Sequence, residues 1–124
     1  MNDKFIFEVD GVKKILKFKM IGSWDIKDGD DWGEEFKQKS KSLLGGKWYV
    51  LADLSEFPAQ KSEIQQKLAE LMEFAGKNGM KKAANLVQKQ LSKMQIERLS
   101  AESGLPAFSF FQDENEAIEW LVKD

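Results

Sequence analysis

Trp48-Tyr49-Val50-Leu51-Ala52 is a nearly continuous apolar run, and Asp53-Leu54-Ser55-Glu56-Phe57-Pro58 follows it directly. A short apolar run that closes on polar residues is the pattern of a strand covered on both faces, as at the centre of a parallel sheet. Residues 53–58 then read as a loop at its carboxyl end. Towards the N-terminus, Phe5, Phe7 and Val9 alternate with Lys4, Ile6 and Glu8, a strand with two unlike faces. Asp10-Gly11 signals a tight turn. A second strand follows with Ile15, Leu16, Phe18, Met20 and Ile21, in which Lys17 and Lys19 face away from Leu16, Phe18 and Met20. The chain therefore opens on a β-hairpin.

Between hairpin and central strand, Gly22-Ser23-Trp24 breaks the second strand, and the acidic stretch from Asp25 to Asp31 leads into a helix. Trp32, Phe36, Leu43 and Leu44 fall on one helical stripe, which predicts a helix running up to Gly45-Gly46. Beyond the central strand, Ser62 with Gln65 resembles a capping box. Ile64, Leu68, Leu71, Met72 and Ala75 then share a helical face that stops near Gly76 and Asn78-Gly79. Ala83 to Val87 reads as a strand, Leu91, Met94, Gln95 and Arg98 as a helix, and Ala107 to Phe111 as the last strand, entered through Pro106. Asp113 caps a final helix that turns Ala117, Trp120 and Leu121 inward. The order ββαβαβαβα predicts one α/β domain over residues 1–124. An antiparallel hairpin joins a largely parallel mixed sheet, with helices as cover.

Composition narrows the chemistry. The 124 residues contain no cysteine and no histidine. Cysteine nucleophiles, zinc fingers, His-based triads and histidine metal ligands are thereby excluded. Nineteen basic against 21 acidic residues give a net charge of −2, and Arg98 is the only arginine. That is not the basic face nucleic acid demands, so no nucleic-acid partner is expected. No apolar run approaches the ~20 residues of a membrane span, and the start lacks a signal-peptide pattern. A cytoplasmic protein is the expectation.

Asp25, Asp28, Asp30 and Asp31 do not make a calcium loop. Counted from Asp28, the fifth position is Trp32 and the twelfth Lys39. These acids suit the positive end of a helix instead. Gly45-Gly46-Lys47 lacks the P-loop spacing and precedes a strand, so no phosphate or cofactor site is expected there. No catalytic residue and no metal ligand can be assigned.

Three stretches carry a family likeness: Gly22-Ser23-Trp24-Asp25, Trp48 through Ser55, and Phe111-Gln112-Asp113-Glu114-Asn115-Glu116-Ala117-Ile118-Glu119-Trp120-Leu121. With the element order, they make the chain resemble the SpoIIAA-like family, of STAS-type fold and related to CRAL-TRIO lipid-binding domains. The resemblance implies a small bacterial or archaeal cytosolic protein. In anti-anti-sigma factors of the wider fold, an acid–serine pair at a strand end carries a phosphorylation switch. Asp53 and Ser55 are the nearest match here, although Leu54 intervenes and no Ser-Gly-Leu follows.

Two groups of candidate residues emerge. Asp53, Ser55 and Phe57 form a switch or interaction loop, and the competing use of Asp53 and Ser55 is to close a turn on nearby backbone N–H groups. Trp24, Phe57, Leu68, Met72 and Met94 could line a site for an apolar small molecule, the competing use being core. A non-enzymatic regulatory or protein-interaction module with a protein partner is the leading reading. A carrier or sensor of a lipid-like or other apolar ligand comes next, then an enzyme using carboxylates and lysines. Self-association through a sheet edge or an apolar helix face is a further expectation.

Overall fold

The computed structural model describes residues 3–87 and 108–123. The elements are β1 (Phe5–Asp10), β2 (Ile15–Ile21), α1 (Ile26–Ser40), β3 (Trp48–Glu56), α2 (Ser62–Lys77), β4 (Met80–Leu86), β5 (Phe108–Phe111) and α3 (Glu114–Val122). The five strands form one sheet in the order β1-β2-β3-β4-β5. β1 pairs antiparallel with β2, and each later pair is parallel. The hairpin on a parallel sheet thus follows the sequence expectation. The expected helix over Leu91 to Arg98, with Met94, lies outside the described residues.

Alternation along the strands builds two cores. On one face Leu16, Phe18 and Met20 of β2 and Val50, Ala52 and Leu54 of β3 meet Trp32 and Phe36 of α1 and Ile64, Leu68 and Ala75 of α2. On the other face Ile15, Leu51 and Ala84 meet Ala117 and Leu121 of α3. The near-continuous apolar character of β3 is explained by this burial on both sides. Lys82 on β4 fastens α3 from below. Its Nζ donates to the Trp120 and Lys123 carbonyls at 2.8 and 2.7 Å and lies 5.0 Å from the Trp120 ring centre. A cation there satisfies the last carbonyls of the helix and complements its dipole.

Four boundaries depart from the sequence reading. β4 begins at Met80, three residues before the expected Ala83, and ends at Leu86. α1 ends at Ser40, and Leu43 enters the core from the turn that follows, where its N–H donates to the Ser40 carbonyl at 2.8 Å. An apolar side chain one turn beyond a helix end keeps the helical spacing, so periodicity alone extended the helix too far. Ser62 is the first residue of α2 rather than its cap. Lys61 occupies the cap position without a side-chain bond, and Gln65 Nε2 donates back to the Gln60 carbonyl at 2.7 Å. β3 continues to Glu56, so Asp53 and Ser55 stand on a strand and not in a loop. Lys19 pairs with Asp53 but Ile21 pairs with Glu56, which places one extra residue on β3 between them. A bulge of this kind bends a strand without ending it.

Of the acids from Asp25 to Asp31, Asp25 and Asp28 do the work expected at the start of α1. Asp25 accepts from the Asp28 N–H at 2.9 Å, and the Asp28 carboxylate accepts from the Asp25 N–H at 3.0 Å, a reciprocal capping box. Asp30 and Asp31 are engaged in ion pairs with Lys67 and Lys27. The Asp28 backbone bond, foremost, holds the Asp25 carboxyl below its ordinary value of 3.8. A depressed carboxyl contributes stability that is complete above the unfolded value and lost as pH falls through the folded one. Acid unfolding should therefore draw on Asp25 below about pH 4. Asn caps helices comparably without titrating. Asp25→Asn is expected to lose less stability than the parent over that window, as read by denaturant titrations at successive pH values.

Candidate functional site

In a sheet of this type the carboxyl ends of the parallel strands are the natural place for function. Two loops meet there, the turn after β2 and the segment after β3. Gln60 ties them together. Its Oε1 accepts from the buried Trp24 N–H at 2.9 Å, and its Nε2 donates to the Gly22 and Pro58 carbonyls at 3.0 and 2.7 Å. No local pattern marks Gln60, because the partners it clamps in the other loop, Trp24 and Gly22, lie 36 and 38 residues away. Gln60→Ala strands the Trp24 N–H in the interior and should lower stability by about 2 kcal/mol. Gln60→Glu keeps the acceptor but turns an oxygen toward two carbonyls, so it should cost at least as much in a urea titration.

The sequence-selected residues divide at this edge. Asp53 Oδ1 accepts from both the N–H and the hydroxyl of Ser55, at 3.0 and 2.7 Å. The pair therefore serves the backbone at the bulge, with Ser55 half-buried. Phe57 is buried, its ring 5.0 Å from that of Trp24 in an edge-on contact. Trp24 is itself buried, and its indole N–H donates to the Ile21 carbonyl at 3.1 Å. Leu68 belongs to the same core, whereas Met72 is half-buried against it. Trp24, Phe57 and Leu68 thus sit together as core residues, and Met94 lies outside the described residues.

A second feature was not singled out by sequence. α3 packs over β4 and β5 with a smaller contact on β3. The other half of that face carries Glu8 on β1, Lys17 and Lys19 on β2, and Asp53 on β3. Glu8 stands opposite Lys17, and Lys19 opposite Asp53. Lys19 also forms an ion pair with Glu56, whose carboxylate is the main cause of its raised pKa, with a smaller contribution from Asp53. Ile6 is 58% exposed among these charges. The surface dips into a shallow depression of about 230 Å³ that reaches Leu51 and Glu114 at the start of α3. The alternation of lysines with apolar residues on β2 was the available signal. What a sequence could not supply was that α3 stops short of this half.

Among the described residues, no three acidic side chains gather as a metal site would require. No described helix is long and apolar enough to cross a membrane.

This arrangement, an antiparallel hairpin on a parallel sheet with a C-terminal helix on the far face, recurs in known structures. A crystal structure of an uncharacterized protein from the DUF3478 family, with a SpoIIAA-like fold, from Shewanella loihica PV-4 superposes with a TM-score of 0.75. The match covers 98% of each chain at 18% sequence identity. The fold is SpoIIAA-like. No family model matches the sequence, and no curated protein does either. The SpoIIAA-like fold agrees with the architecture expected from the order of elements, as far as the described residues carry it. At this identity the likeness concerns the fold, and function has to be argued from the site.

Proposed function

We propose that this chain is a non-enzymatic regulatory module that binds a protein partner, using the half of the sheet face that no described helix covers and the neighbouring end of β3 from Asp53 to Glu56. The observation that carries the reading is this half-face, which no described helix covers. It is shallow rather than enclosed, and it presents Glu8, Lys17, Lys19, Asp53 and Glu56 as an ordered set of charges around Ile6. Patterned charge around a small apolar centre favours protein recognition, giving specificity and orientation. Small-molecule sites are usually deeper and more apolar.

The surroundings of the titratable groups support a role without catalysis. Asp10 is lowered by backbone N–H groups in its turn, and Asp25 by its capping box. Lys19, Lys27 and Lys67 are raised by Glu56, Asp31 and Asp30 respectively. Among the described residues each displaced group thus has a local structural cause: Asp25, Lys27 and Lys67 act around the start of α1, and Asp10 and Lys19 lie elsewhere. Acid–base catalysis requires two such groups converging with their pKa values pushed apart. A cytoplasmic setting is part of the same proposal.

The test is the double reversal Lys17→Glu/Lys19→Glu, made on side chains that stand outside both cores. Chemical cross-linking in the cells that naturally make the protein should give a discrete species with a second protein. The double variant should lose that species while keeping its circular dichroism and thermal transition. An unchanged cross-linked species would overturn the assignment of this face.

A further inference from the structure

β1 and β5 are the two edges of the sheet. Exposed edges invite pairing, and proteins usually blunt them by shortness, proline, lysine or a bulge. β5 has four residues. β1, Phe5-Ile6-Phe7-Glu8-Val9-Asp10, has six, with no proline or lysine, and its register against β2 runs from Phe5–Met20 to Asp10–Ile15 without a shift. The Ile21 N–H donates to the Lys4 carbonyl at 2.8 Å. In an antiparallel ladder this fixes the even-numbered residues of β1 as those bonded to β2. The N–H and C=O groups of Phe5, Phe7 and Val9 consequently point away from β2, to an edge that no other described strand pairs.

We infer that β1 is a self-association edge, on which a second copy of this chain lays its own β1 antiparallel about a two-fold axis at Phe7. In that register all three outward residues pair, Phe5 with Val9 and Phe7 with its own counterpart. Lys4, whose Nζ donates to the Ser23 carbonyl at 3.0 Å, falls opposite Asp10 of the second copy, whose carboxylate accepts from the Val12 and Lys13 N–H groups, so opposite charges face each other twice. Ile6 falls opposite Glu8. The neighbouring registers are poorer. An axis at Glu8 sets two carboxylates against each other, and an axis at Ile6 pairs Val9 with Asp3, outside the strand. The two five-stranded sheets then become one continuous sheet. This contact shares Ile6 and Glu8 with the face read above but lies at its rim, and it does not rest on that reading, which concerns a different protein.

Sedimentation velocity over a concentration series tests it, up to about 1 mM because a small interface binds weakly. Ile6 is exposed and outside both cores, so substitutions there leave the monomer folded. Lys19, beside it on β2, acts equally on monomer and dimer. The parent chain and Ile6→Lys, which sets an ammonium against Glu8, should both dimerise. Ile6→Glu sets like charges opposite each other twice and should weaken the dimer roughly tenfold. A parent chain that stays monomeric throughout would overturn the inference, as would equal effects of Ile6→Glu and Ile6→Lys or their reversal.

Discussion

Gly79→Ala is expected to lower stability by about 3 kcal/mol, through two effects that add at one atom. Gly79 joins α2 to β4 with φ of +104°, a conformation that L side chains rarely adopt. A Cβ built there would also run into the Gly46 carbonyl oxygen. The surroundings cannot yield easily, because this is where two turns are bound together. The Gly79 carbonyl accepts from the Trp48 N–H at 3.3 Å, and the Asn78 carbonyl accepts from the Gly45 N–H at 3.1 Å and the Trp48 indole at 2.9 Å. Any shift of Gly79 would pull on the first residue of the central strand. Two other glycines separate the contributions. Gly45 has φ of +88° with open space around it, so Gly45→Ala should show dihedral strain alone, about 1 kcal/mol. Gly11 has neither constraint, and Gly11→Ala should fall within about 0.5 kcal/mol of the parent. The order of the three urea midpoints is the readout, with unchanged slopes as the sign that only stability has moved.

Trp32→Ala is expected to cost about 4 kcal/mol, the range for removing a large aromatic from a packed interior. Trp32 is 1% exposed and is the hub of an aromatic cluster. Its ring lies 5.3 Å from Phe18, 5.2 Å from Phe36, 5.9 Å from Trp24 and 6.1 Å from Phe7. These contacts join β1, β2 and α1, so the void would open where the hairpin meets its covering helix. Trp32→Phe should cost less than half as much. It keeps a ring in the cluster and removes an indole N–H that is buried with no hydrogen-bond acceptor. Relieving an unpaired buried donor offsets part of the lost volume. Against a total of about 5–15 kcal/mol for a domain, the alanine variant should be visibly less folded at ambient temperature. A Phe variant as damaging as Ala would show that shape, not the stranded donor, governs this position.

What the sequence disclosed and what it withheld follow one physical division. Period-two alternation placed β1 and β2 with the correct faces, since every second residue has to enter the core. Asp25 through Asp31 announced a helix start, because capping is a contact between near neighbours in sequence. The apolar run from Trp48 identified a strand covered twice. Its true end was hidden, as a bulge between Asp53 and Glu56 continues pairing through residues that look like a turn. The loop clamp by Gln60 and the anchoring of α3 by Lys82 were invisible for another reason. Both depend on partners 36 to 41 residues distant, and no periodicity encodes such pairs. Asp53 and Ser55 were legible as a pair, and the bond between them is the local one that turn chemistry favours. The open half-face needed the length and position of α3, which only the folded chain fixes.

Native mass spectrometry of the protein taken directly from the cells that make it, followed by a denatured mass, tests the interaction reading most directly. The account predicts the mass of the polypeptide, with or without a phosphate increment, free or joined to another protein. An apolar small molecule that accompanies the folded chain and leaves on denaturation would contradict it and make the protein a carrier.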